Sequence, residues 1–326
     1  MRRRQFIRLF GGVAIWPLAA SAQRQAIRTI GLLAARTPEF DAPLLDGFLR
    51  GLNETGYFEG KNVAIDYRWA EGHFDRLPAL AEELVRKQVA LIATFGGTAA
   101  VRAAKAATSS IPIVFAIGDD PVKFGLVANL NHPGGNITGG TNFFGELAAK
   151  QLGLLRTLVP SASVIAVLAN PDEPAGEHQI ADAQAAANSS GQELIVLRAS
   201  TVSEIDVAFA SLVQHHAGAL LLGANPFFAT RISQLTALAM RYDVPTMYWR
   251  RELAEAGGLI SYGANPTELY PHIGRYAGRI LAGGKPGELP VLQPTKIELV
   301  INLKAAKALG LTIPSTLLAV ADEVIE

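Results

Sequence analysis

From about residue 23 onward, short apolar runs alternate with longer segments whose apolar positions recur at helical spacing. That alternation predicts βαβ units and a mostly parallel sheet. Residues 27–34 read as a strand. Residues 41–55 read as a helix, with Leu44, Leu45, Phe48, Leu49 and Leu52 on one face. The pattern continues with strands over 63–67, 89–95 and 111–117 and helices over 77–87 and 98–107. It restarts with helices over 145–158, 177–190, 203–214 and 228–241, separated by strands over 164–169, 193–197, 218–222 and 244–248.

The two runs echo each other. Val89-Ala-Leu-Ile-Ala-Thr-Phe matches Gly218-Ala-Leu-Leu-Leu-Gly-Ala in position, each followed by a helix and a strand that opens on X-Pro. Two similar α/β lobes explain such an echo better than one continuous sheet. A third section carries strands over 258–262 and 295–301 and helices over 251–256, 266–282 and 304–309. These tail elements are expected to distribute between the lobes. Proline and glycine clusters near 131–140 and 283–290 mark the expected crossing points. The expected organisation is 27–140 plus 251–285 for the first lobe and 141–250 plus 286–326 for the second.

The first 22 residues do not fit this pattern. Arg2, Arg3, Arg4 and Arg8 precede an apolar run from Leu9 to Ala20, and Ala20-Ser21-Ala22 follows. This order is that of a cleaved export signal. Arg3-Arg4-Gln5-Phe6-Ile7-Arg8 is similar to the twin-arginine pattern, which implies export of a folded protein. The run is about 12 residues, short of the roughly 20 that span a bilayer, and Pro17 interrupts it. The expected product is a soluble periplasmic protein without a lipid anchor.

Charge and composition then narrow the function. The chain has 29 basic and 29 acidic residues. Without the four leading arginines, 25 basic residues face 29 acidic ones. A mildly acidic mature protein does not fit nucleic-acid binding. Cysteine is absent, which excludes disulfides, thiolate metal sites, thiol nucleophiles and a lipidated cysteine. The six histidines lack metal-ligand spacing. Gly31-Leu32-Leu33-Ala34 stands where a dinucleotide fingerprint would carry its glycines, and there is no phosphate loop or nucleophile elbow. No catalytic residue, metal or cofactor is expected.

In open α/β sheets, ligands bind beyond the carboxyl ends of the strands. Those ends carry Ala35-Arg36-Thr37, Gly96-Gly97-Thr98, Gly118-Asp119-Asp120, Asn170-Pro171-Asp172, Asn225-Pro226-Phe227-Phe228, Tyr248-Trp249-Arg250 and Tyr262-Gly263-Ala264-Asn265. Gly96-Gly97-Thr98 reads equally as a carboxylate cradle at a helix start and as a plain tight turn. Asp120-Pro121 reads as a helix start or as an acid facing a cationic group. Tyr248 and Trp249 read as core packing or as a ligand wall.

Several stretches are specific: Gly56-Tyr57-Phe58-Glu59-Gly60-Lys61-Asn62-Val63, Ile111-Pro112-Ile113-Val114-Phe115 with Asp120-Pro121-Val122, and Asn131-His132-Pro133-Gly134-Gly135-Asn136-Ile137-Thr138-Gly139. Further along come Gly257-Gly258-Leu259-Ile260-Ser261-Tyr262-Gly263, Gln293-Pro294-Thr295-Lys296-Ile297-Glu298 and Ala321-Asp322-Glu323-Val324-Ile325. Together they resemble the ABC-transporter substrate-binding family that includes tryptophan- and tyrosine-type binding proteins.

The resemblance implies a type I periplasmic-binding-protein fold: two Rossmann-like lobes with parallel sheets, joined by a hinge, with the ligand between them. It implies binding without catalysis, and delivery of a small molecule, such as an amino acid or related carboxylate, by a monomer to an inner-membrane permease and its ATPase. The family's cleft loops fall on Gly96, Gly97, Thr98, Asp120, Asn142, Asn170, Asn225, Tyr248, Tyr262 and Asn265. In this reading Thr98 and the adjacent N–H groups hold a carboxylate, Asp120 or a nearby acid holds a cation, and Tyr248 supplies an apolar wall. The sequence departs from the family where Gly97-Thr98 stands for Thr-Pro, and where Ala264-Asn265 stands for Pro-Asp. Asn265 thereby lacks the charge of that acid. The alternatives are a ligand sensor for a membrane receptor and a small-molecule hydrolase on the same lobes.

Overall fold

The computed structural model describes residues 27–293 and 296–326, apart from the side chains of Gly145 and Glu146. The export segment expected over 1–22 lies outside the described residues. Strands β1 (Arg28–Ala34), β2 (Val63–Trp69), β3 (Leu91–Phe95), β4 (Ile113–Ile117) and β5 (Ile137–Thr141) form an all-parallel sheet in the order β2-β1-β3-β4-β5. A second sheet takes β6 (Val164–Ala169), β7 (Glu193–Arg198), β8 (Ala219–Leu222), β9 (Thr246–Tyr248), β10 (Ile260–Ala264), β11 (Ile297–Asn302) and β12 (Glu323–Ile325). Its order is β12-β11-β10-β9-β8-β6-β7, with β11 antiparallel to β10. These are the two parallel-dominated lobes expected from the sequence.

Helices α1 (Pro38–Asn53), α2 (Leu77–Arg86) and α3 (Thr98–Ala107) cover the first sheet. The second is covered by α4 (Ala148–Leu158), α5 (Gly176–Ser189), α6 (Val202–Gln214), α7 (Pro226–Ala229), α8 (Ile232–Arg241) and α9 (Arg251–Glu255). Helix α10 (Pro266–Leu281) returns to the first sheet, and α11 (Leu303–Ala308) and α12 (Ser315–Leu318) end the second lobe. Each sheet has an apolar cluster on both faces, so its central strands are apolar throughout rather than alternating.

Helix α1 starts earlier than its apolar stripe suggests. Thr37 caps it by accepting the Phe40 N–H at 3.4 Å, and Pro38 fits the first turn. Strand β5 was legible only as a glycine-rich loop. Gly139 belongs there because a Cβ would lie 2.2 Å from the Phe115 carbonyl oxygen on β4.

The crossings differ from those expected. The chain leaves the first sheet near Asn142, returns at Asn265, and passes over again between Gln293 and β11. Residues 251–264 therefore lie with the second lobe, because β10 pairs with β9 and β11. Residues 286–292 lie with the first, where the Leu292 N–H donates to the Gly139 carbonyl at 2.9 Å. Helix α10 is held there by close packing on α1. A Cβ on Gly51 would lie 1.8 Å from the Pro271 carbonyl oxygen, and one on Gly274 would lie 2.0 Å from that of Phe48. Among the described residues, no helix is long and apolar enough to cross a membrane.

Candidate ligand cleft

The carboxyl ends of the parallel strands of both sheets face one another, and a cavity lies between them. Its volume is about 60 Å³. Arg36 after β1, Gly97 after β3, Asp119 after β4 and Asn142 after β5 line it from the first lobe. Glu173 after β6, Asn225 and Pro226 after β8, and Trp249 and Arg250 after β9 line it from the second. Phe144, at the first crossing, and Tyr270 of α10 complete the wall.

The lobes meet across this cavity. Oε1 of Glu173 accepts the N–H groups of Thr98 and Ala99 at 3.1 and 3.3 Å. Lys123 pairs with Asp182 at 2.9 Å, and Phe124 meets His178 edge to face at 4.9 Å. The Arg250 guanidinium lies 5.4 Å from the centre of the Phe40 ring, as does that of Arg36.

Two guanidinium groups line the cavity. Nε of Arg36 donates to Oδ1 of Asp41 at 2.6 Å, and its Nη2 donates to the Tyr270 hydroxyl at 3.3 Å. Burial opposes the Arg36 charge, but Asp41 and Tyr270 outweigh it and hold its pKa above the ordinary guanidinium value. Arg250 grips Glu252 with two bonds, at 3.1 and 2.7 Å. Its burial does not consume the whole fork, since Nη1 makes none of these bonds. Nη1 of Arg36 is in the same position. The same wall also carries two acids. Asp119 accepts the Thr98 hydroxyl at 2.7 Å. Glu173 is 2 % exposed, and burial, together with the charge of Asp119, pushes its pKa up to about 8.

Of the ten residues expected at the cleft, the structure brings Gly97, Asn142 and Asn225 to the cavity wall. Asn225 also caps α7 by accepting the Phe227 N–H at 2.8 Å. Gly96 and Thr98 do not line the cavity, and the Thr98 side chain is turned to Asp119. Asp120 is a turn cap, accepting the Val122 N–H at 2.8 Å, and its neighbour Asp119 faces the cavity. Tyr248 is fully buried in the second lobe, and Trp249 takes the wall position. Asn170 bonds the Asp172 N–H at 2.9 Å and lines an outer groove. Tyr262 packs against the second-lobe core, and its carbonyl accepts from Gln151 at 2.8 Å. Asn265 caps α10 by accepting the Thr267 N–H at 3.0 Å.

Sequence reasoning missed Arg36, Glu173, Trp249, Arg250 and Tyr270 as wall residues. Arg36, Trp249 and Arg250 stand in segments recognised as strand ends, and the signal for choosing among neighbours is the alternation of side chains at a strand end. Glu173 carries no signal beyond its place in the turn after β6. Among the described residues, no group of acids and histidines has the arrangement of a metal site.

Residues 39–325 match the family described as ABC transporter substrate binding protein. The chain belongs to that family. A curated relative, a tyrosine-binding protein of Clostridioides difficile (strain R20291), is 29% identical over 265 residues, covering 81% of this chain and 76% of the relative. A solved domain from Streptococcus pneumonia in complex with L-Trp is 27% identical, covers 91% of this chain and 100% of that one, and superposes with a TM-score of 0.80. The ligand-free, open structure of a substrate binding protein with adhesive properties from Clostridium difficile is 26% identical over 92% of this chain and 99% of that one. Its TM-score is 0.65. The fold is that of type I periplasmic binding proteins. The family and these relatives are binding proteins rather than enzymes.

Proposed function

We propose that the protein is the exported solute-binding component of an ABC importer, with residues 1–22 removed on export. It takes an amino acid with an aromatic or other apolar side chain between its lobes and hands it to a permease and its ATPase. The carrying observation is the composition of the interlobe cavity: each lobe contributes one guanidinium, Arg36 or Arg250, and both line the same enclosed space. The remaining donors of the two forks suit a carboxylate, which their planar geometry recognises well. Trp249, Phe144, Tyr270 and Pro226 add aromatic and apolar side chains to the wall, which suit a ring or chain.

The reading replaces the carboxylate site expected at Thr98, because the N–H groups there already bond Glu173. It gives the carboxylate to Arg36 and Arg250 instead. The likeness to relatives that bind tyrosine and hold L-Trp supports an aromatic amino acid. The higher TM-score to the L-Trp complex than to the open structure supports a cleft that shuts on its ligand.

Isothermal calorimetry of the mature protein against the common amino acids tests the reading, after native mass spectrometry to detect a co-purified ligand. Binding of L-tyrosine or L-tryptophan is expected, and Arg250→Gln weakens it about ten- to a hundredfold. If no amino acid binds, or if Arg250→Gln leaves the affinity unchanged, the reading fails.

A further inference from the structure

Phe40 stands in the first turn of α1, in the first lobe, where its N–H donates to Oγ1 of Thr37 at 3.4 Å. Its side chain reaches out of that lobe. It packs against the apolar cluster of the second lobe, the one that holds Trp249 and Leu253. Leu44, one turn further along α1, lines the interlobe cavity. Two guanidinium groups lie over the Phe40 ring, each with its carbon 5.4 Å from the ring centre. One is Arg36, from the same lobe, and the other is Arg250, from the opposite lobe.

These two contacts differ in what the lobes' separation does to them. Arg36 and Phe40 share a lobe, so their contact survives opening. Arg250 and Phe40 are on different lobes, so theirs exists only in the shut cleft. Glu252, which grips Arg250 at 3.1 and 2.7 Å, is on Arg250's own lobe and stays with it. What closure adds to Arg250 is therefore the first lobe's ring and the charge of Asp41, which interacts with it.

We propose that Phe40 is a positioning residue for the ligand site: on closure its ring seats Arg250 beside Arg36, so that the pair of forks facing the ligand carboxylate is assembled only in the shut cleft. The assignment rests on the proposed reading that these two arginines take a carboxylate. Two guanidinium groups repel each other, and each has one acid of its own, Asp41 or Glu252. The electron-rich face of the ring adds an attraction that both cations share. Both arginines are only 7 % exposed, so water screens the contact little and it lies toward the strong end of the ordinary range. A carboxylate in place of the ring would bond the forks and consume their donors. A ring attracts a guanidinium without accepting its in-plane N–H groups, which leaves Nη1 of each arginine for the ligand.

The test places phenylalanine fluorinated at one, two or three ring positions at position 40 of the full mature protein. Fluorine drains negative charge from the ring face and changes shape and apolar character little. Calorimetry against L-tyrosine and L-tryptophan should show affinity falling stepwise, by about three- to thirtyfold across the series. In an Arg250→Gln background the series should be flat, because the remaining contact, to Arg36, is the same in both states. Equal affinities across the series in the otherwise wild-type protein mean that Phe40 only packs, and overturn the proposal. An equal fall in the Arg250→Gln background overturns it too. A second readout needs no ligand. The chain has no cysteine, so Glu82→Cys on α2 and Val207→Cys on α6 put one spin label on an exposed site of each lobe. The most fluorinated ring should shift the label distances of the ligand-free protein to longer values. If neither amino acid binds the wild type, the ligand reading fails on its own and this readout decides for Phe40: longer distances sustain its closed-state hold on Arg250, and unchanged distances overturn it.

Discussion

Gly97 offers a way to act on the closed cleft while leaving the separate lobes intact. It sits at the end of β3 with φ +101°, a backbone conformation that L residues rarely adopt. Gly97→Ala therefore has two costs. Backbone strain, about 1–3 kcal/mol, is present whether the cleft is open or shut. The steric cost belongs to the closed form alone, because the new Cβ would lie 2.8 Å from Cγ of Pro226 and 3.2 Å from Oε1 of Glu173, both on the other lobe. A proline ring cannot rotate away, and Glu173 is pinned by two N–H groups. Overpacking of this kind costs about 1–3 kcal/mol. At about 1.4 kcal/mol per factor of ten, closure and ligand affinity should fall roughly ten- to a hundredfold.

Gly56→Ala supplies the control. Gly56 has φ +86° but nothing within 4 Å of its Cβ position, so that variant carries strain without the clash. Both variants should melt at lower temperature. Only Gly97→Ala should lose affinity for L-tyrosine or L-tryptophan and show a larger radius of gyration by small-angle X-ray scattering at saturating ligand. Wild-type affinity in Gly97→Ala, with a melting shift matching Gly56→Ala, would mean that the lobes do not meet over Gly97.

The empty cleft should respond to pH through Glu173. Its closed-state pKa of about 8 lies above the ordinary 4.5, so the closed form holds the extra proton and is favoured at low pH. That advantage is complete below about 4.5 and is lost as pH rises through about 8, a change on the order of 5 kcal/mol at most. Scattering on the ligand-free protein should show opening between pH 5 and 8, and a Glu173→Gln variant should not; an unchanged radius of gyration in the wild type contradicts this. Gly274→Ala should destabilise the first lobe by about 3 kcal/mol, since its Cβ meets the backbone of α1 at Phe48. Urea unfolding measures it, and a midpoint equal to wild type would show that α1 and α10 are not packed this tightly.

How much was legible depends on what each feature needs. The strands and helices of both lobes follow from local periodicity, and β6 and α3 fall on the bounds the pattern suggests. Strand β5 was lost because Gly139 and Gly140 read as a turn, while their purpose is to let Phe115 and Leu269 approach. The lobe assignment of β10 was misread for the same reason: it depends on partners far away in the chain, namely β9 and β11, whereas α10 lies on the expected first lobe.

The amino-acid order alone determined the βα alternation, the doubling into two lobes and the strand-end loops where a ligand would sit. It did not choose between neighbours within those loops. Asp119 faces the cavity and Asp120 caps a turn; Trp249 forms the wall and Tyr248 fills the core. Successive side chains at a strand end point to opposite sides, so a shift of one residue exchanges a wall position for a buried or solvent-facing one. Only the packing of the two sheets sets that register. Closing the lobes then decided the rest, because it brings Arg36 to Arg250 and Asp119 to Glu173, pairs that stand 214 and 54 positions apart in the chain.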